Sequence, residues 1–159
     1  WEVGPGAVGA KTYRGAGVAS VLAGPWAMGW NRFLDRLNDK YLAGMAQYNG
    51  FPPNLPTPRI KAFNDAYKAK FGEESHGFAA QSYDGLHIAV EAMAKAGTIS
   101  DGKAIRDALA ALSSEGVIGP LKFAAKGQAS PPVYITQGCD DGRPRVLFPR
   151  DYTAASGGG

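Results

Sequence analysis

This chain has little of what catalytic and metal centres are usually built from. One cysteine, Cys139, and two histidines, His76 and His87, stand among its 159 residues. A lone thiol closes no internal disulfide, and without CxxC or Cys/His partners at ligand spacing it founds no zinc site. Its neighbours Asp140 and Asp141 disfavour the thiolate, which argues against a nucleophile. The motifs HExxH and GxSxG and the phosphate loop GxxxxGKS/T are lacking. Asp140 and Asp141 are adjacent carboxylates, but adjacency at a turn does not make the convergent pair that acid–base work needs. Glu73 and Glu74 follow a helix stop and read as solvated. These gaps predict a protein that is not an enzyme and holds no metal and no cofactor.

Charge of one sign is not clustered either. The 17 basic and 14 acidic residues are interspersed, for a net charge of +3. Nucleic-acid binding would need a basic stripe with aromatics or a named motif, so no nucleic-acid partner is expected. Lys61, Lys68 and Lys70 read instead as the solvated face of a helix. No apolar run reaches the roughly 18 residues that a membrane span requires. The sequence opens at Trp1 without the basic and apolar regions of a secretory leader, as a mature or truncated product also would.

What is present is a globular composition, 45% hydrophobic and 11% aromatic, in a length that can bury a single core. The 22 glycines and 11 prolines, about a fifth of the chain, stop short of low complexity. They place loops at residues 1–30 and 49–58 and a flexible tail at 151–159.

Three helix signatures follow one another from Thr57. In the first, Thr57 can cap, Pro58 suits the first helical position, Ile60, Phe63 and Tyr67 share a face, and Gly72 supplies the stop. The second, roughly Phe78 to Lys95, carries Tyr83, Leu86, Val90 and Met93 on one stripe and stops at Gly97. The third starts at Ser100 or Asp101 and aligns Ile105, Leu109 and Leu112. Val117, Ile118, Leu121 and Phe123 read as a strand interrupted by Gly119-Pro120, and Pro132–Gln137 as another. Asp140-Asp-Gly142 predicts a hairpin turn with Arg145–Phe148 as the returning strand. A further strand is expected at Val18–Leu22. The three one-sided helices must cover something, and none has an obvious strand of its own.

Four segments, Phe63–Gly72, Phe78–Gly85, Gly102–Leu109 and Gly119–Gly127, in this order and spacing, resemble the C-terminal part of type I periplasmic solute-binding proteins. The branch is the one serving branched-chain amino acid ABC transporters, and the likeness runs over about residues 57–148. The resemblance implies an α/β fold of two Rossmann-like lobes, with the N-terminal half missing from this chain. It further implies that 57–115 supplies helices of the first lobe, 1–56 a segment of the second lobe and hinge, and 116–150 a hinge strand and the C-terminal hairpin of the second lobe. On this reading a companion segment or another chain completes the lobe, or the helices repack on the chain's own strands, or the chain associates with a copy of itself.

In function the resemblance implies capture of an amino acid or related small carboxylate by hinge closure, and delivery to an ABC permease in the membrane. The setting would be periplasmic, or that of an extracytoplasmic lipoprotein. A ligand-sensing domain of the same fold in a signalling or regulatory protein is the alternative. Phe78 falls at a position whose aromatic ring faces solute in the family, or else covers a helix start. Gln81 could offer its amide to the same space or be solvated. Tyr83 could reach the cleft or the core, and Trp26, after Gly24-Pro25, falls near another cleft-lining loop. For His87 the expected role is that of a surface or half-buried helix residue.

Overall fold

The computed structural model describes residues 3–25, 44–52, 54–139 and 144–152. The chain divides into two compact units, one formed by residues 1–61 with 133–159 and the other by Ala62–Pro132.

The first unit begins with a helix, α1 (Val3–Gly15), in the stretch expected to be loop. Ala7 and Ala10, one turn apart on it, are fully buried. A four-stranded sheet follows, in the order β1 (Ala23–Gly24), β2 (Ala46–Asn49), β5 (Tyr134–Gly138), β6 (Pro144–Phe148). β1 and β2 are parallel, and the other two pairings are antiparallel. The strand expected at Val18–Leu22 therefore forms later, at Ala23–Gly24, and β2 had no forecast. β2 is short and reads Ala-Gln-Tyr-Asn, without the apolar alternation that would single it out. Gln47 and Asn49 lie opposite Thr136 and Tyr134, and all four are buried on one face. Val146, paired with Thr136 on β6, is completely buried beside them. Asn49 ends β2 by turning its side-chain oxygen onto the Phe51 N–H at 2.8 Å. The expected turn at Asp140–Gly142 lies outside the described residues.

Helix α2 (Pro58–Phe71) starts in the first unit and runs into the second. Thr57 caps it, its hydroxyl accepting the Ile60 N–H at 3.3 Å, and Gly72 stops it at φ 74°. In the second unit α3 (Gly77–Ala96) ends at Gly97, φ 67°, whose N–H bonds back into the last turn. α4 (Gly102–Ala110) is capped by Asp101, which accepts from the N–H groups of Lys103 and Ala104 at 3.0 Å each. These three helices lie where their punctuation places them.

The strand expected through Val117 and Ile118 is instead a hairpin, β3 (Ser113–Gly116) with β4 (Gly119–Lys122), and those two residues are its turn. β3 escaped notice because Ser-Ser-Glu-Gly has no strand-forming side chain. The core of this unit joins Ile88 of α3, Leu112 and Leu121, with Leu109, Ile118 and Phe123 packed against them.

Three exposed ion pairs, Lys68 with Glu74 and Asp107 with both Lys103 and Arg106, shift the ionisation of Lys68 and Asp107. Lys68, hydrogen-bonded to Glu74, is held above the usual lysine range, and Asp107, hydrogen-bonded to Arg106 and Lys103, below the usual carboxylate range. At the surface such pairs add little stability.

Candidate functional site

Two of the four sequence candidates, Phe78 and Gln81, lie at the N-terminal end of α3. His76 caps this helix: its Nδ1 accepts the Ala79 N–H at 3.3 Å and its carbonyl accepts those of Ala79 and Ala80. Behind it, the buried Ser75 hydroxyl donates to the Asn64 side-chain oxygen. The cap fixes where the first turn points, and Phe78 rides on that turn with 44% of its surface exposed. Its ring lies edge-on to His76, centroids 6.4 Å apart. Gln81, half-buried, stands three residues on and so on the same side of the helix. An exposed aromatic ring beside an amide, at a helix end carrying positive partial charge, can receive a molecule with an apolar body and an anionic head.

Tyr83 points elsewhere. Five residues from Phe78, at about 100° per residue, it is turned well away around the helix. It lies 5.4 Å from the Phe63 ring and 4.3 Å from His87, within an aromatic run that continues from Phe63 through Tyr67 to Phe71. His87 is exposed there. Trp26 lies outside the described residues. Cys139 is half-buried, its thiol 3.8 Å from the Gln137 carbonyl.

The buried side of α3 is not the stripe of large apolar residues. Ala80, Asp84, Ile88 and Ala92, at intervals of four, are buried, whereas Leu86 and Val90 remain 66% and 57% exposed. Asp84 is the residue that sequence reasoning missed. One carboxylate oxygen accepts the Val117 N–H at 2.8 Å and the other that of Ile118 at 2.9 Å. An acid at the centre of an Ala-x₃-Asp-x₃-Ile-x₃-Ala face was the available signal.

Among the described residues, no group of His, Cys, Asp and Glu is arranged to hold a metal ion, and no helix is long and apolar enough to cross a membrane. Gly4, Gly6 and Gly9 carry the G-x-G-x-x-G spacing, but they lie inside α1 rather than on a strand-to-helix turn, so they make no dinucleotide loop.

Both units combine helices with strands, an α/β architecture. The family model for periplasmic binding proteins matches residues 3–143, and the chain belongs to that family. Among solved structures it is similar to LivJ, the branched-chain amino acid transporter substrate-binding protein of Streptococcus pneumoniae, in complex with isoleucine (24% identity, TM-score 0.79, 92% of this chain and 42% of that one). The leucine-binding protein LivK of Thermotoga maritima is comparable (19%, 0.81, 94% and 43%). So is an ABC-transporter solute-binding protein of R. palustris in complex with benzoate (20%, 0.80, 92% and 40%). No curated protein sequence matches the chain. The chain thus has part of the two-lobed type I fold and spans about two fifths of the length of these structures. The family is one of solute-binding, non-enzymatic, extracytoplasmic proteins.

Proposed function

We propose that this chain is part of the solute-binding component of an ABC importer, which captures an amino acid or related small carboxylate by closing two lobes and presents it to a membrane permease. On this reading the helices within 57–115 belong to the first lobe, 1–56 to the second lobe and hinge, and 116–150 to a hinge strand and the C-terminal hairpin of the second lobe. The solutes named for the similar structures, isoleucine, leucine and benzoate, share a carboxylate and an apolar body. The observation that carries the reading is Phe78, a large apolar ring left 44% exposed on the first turn of a capped helix. The ring suits the apolar body, the helix end suits the carboxylate, and Gln81 adds an amide. Trp26 is carried as a further contact, and anchorage as a lipoprotein as the mode of retention outside the cytoplasm, whereas Tyr83 is assigned to the aromatic run with Phe63 and His87.

The test is a thermal-shift screen of the complete polypeptide against isoleucine, leucine, benzoate and polar amides. A carboxylate with an apolar body should raise the melting midpoint in proportion to its concentration over its dissociation constant. No shift with any of these at millimolar concentration would sink the reading.

A further inference from the structure

β3 and β4 are joined by the two-residue turn Val117-Ile118, closed by the pair Gly116 and Gly119. Two-residue hairpins favour turns whose central residues take positive φ, which is why Asn, Asp and Gly dominate them. Val117 and Ile118 are β-branched, and neither has positive φ. The turn lacks the local chemistry that would form it, so its support comes from elsewhere.

That support is Asp84, only 3% exposed, whose two oxygens each accept one of the turn's N–H groups. Gly116 makes the approach possible, since a Cβ there would lie 2.6 Å from the carboxyl carbon. On the far side of the turn Gly119, at φ 115°, lies against Pro132, the last residue of the unit, and a Cβ there would fall 2.8 Å from the proline Cγ. One turn along α3, Ile88 enters the apolar cluster beneath the same hairpin.

We propose that Asp84 is a positioning residue for the solute site: by gripping the Val117-Ile118 turn it fixes the rotation and height of α3, and thereby the place of Phe78 on the same helix. The six-position step from Phe78 to Asp84 spans about 9 Å of helix axis, short enough for a rigid rod to carry the position. A contact aimed at a small solute must be held to about half an ångström, and an exposed first turn does not hold itself so well. This inference rests on the reading of Phe78 as a solute contact.

Two variants of the complete polypeptide test it. Asp84→Asn keeps the shape but turns an NH₂ toward one of two converging donors. Val117→Pro breaks the grip from the turn side, removing one donor and setting the proline Cδ against the Asp84 oxygen that it served. In Asp84→Asn the Val117 and Ile118 amides should exchange with deuterium about 10- to 100-fold faster, as expected for losing hydrogen bonds to a charged acceptor. The affinity for isoleucine, measured by calorimetry, should fall about 3- to 10-fold in both variants. Val146→Ala, at a completely buried position in the sheet of the first unit, serves as a control that lowers stability without touching α3 or its hairpin, and its affinity should stay at the wild-type value. Unchanged exchange in Asp84→Asn overturns the grip. Faster exchange with unchanged affinity overturns the positioning role, and the solute reading then stands if Phe78→Ala still weakens binding. An equal loss of affinity in Val146→Ala also overturns it, because Asp84 would then act through stability alone. If the wild-type polypeptide binds neither isoleucine, leucine nor benzoate, the solute reading falls and the positioning role with it, while exchange still decides the grip.

Discussion

Asp84 accepts the Val117 N–H at 2.8 Å across 33 residues of sequence and so ties α3 to the hairpin of its unit. A buried carboxylate is tolerated because two backbone donors replace its water, and Gly116 leaves the space for it. The helix, the turn and the glycine are therefore one device.

Gly116→Ala should expose that dependence. Its methyl group would sit 2.6 Å from the Asp84 carboxyl carbon, so carboxylate or turn must give way. We expect a loss of about 1–3 kcal/mol, as for overpacking a tight site, read as a lower urea midpoint at unchanged slope. An unchanged midpoint would mean that the approach of Asp84 to the hairpin is looser than described.

Thr136→Val should act in the opposite direction. The Thr136 hydroxyl is fully buried on the inner strand β5 and has no hydrogen-bond partner among the described residues. Replacing it with a methyl of similar shape removes an unmet polar group and should stabilise by about 1 kcal/mol. A destabilised variant in thermal unfolding would reveal a partner for that hydroxyl.

Phe78→Ala should leave the fold intact, because the ring is substantially exposed, yet weaken isoleucine binding by about 1–3 kcal/mol in the complete polypeptide. Calorimetry decides the matter, and an unaltered affinity with preserved circular dichroism removes Phe78 from the site.

Leu86→Lys combined with Val90→Lys addresses the bare side of α3. In the 159-residue chain both residues are exposed, so stability should change by no more than about 0.5 kcal/mol. If the rest of the lobe covers this stripe in the complete polypeptide, the same pair should cost about 3–6 kcal/mol there, the transfer energy of two large apolar side chains. Equal small effects in both contexts would show that the stripe faces water throughout.

The helix boundaries were legible because they are written locally. Thr57, Asp101, Gly72 and Gly97 each satisfy or release backbone groups within a few residues of their own position. The order of the helices and Phe78 near the start of α3 could be read for the same reason. α1 was not foreseen, since Val3–Gly15 carries Gly4, Pro5, Gly6 and Gly9, a loop-like composition. The hairpin was misread because Val117 and Ile118 have the strand propensity while the actual strand residues Ser113 to Gly116 have none.

By itself, then, the amino-acid order determined where helices start and stop, that no metal or nucleophile cluster is encoded by an obvious motif, and which family the chain is similar to. Only the tertiary structure decided that α3 buries its Ala80-Asp84-Ile88-Ala92 side and leaves Leu86 and Val90 exposed, and that an acid in mid-helix holds a turn far along the chain. The physical reason is range: caps and glycine stops act within one turn of backbone, whereas the choice of buried face and the partner of a buried charge depend on groups brought together by packing.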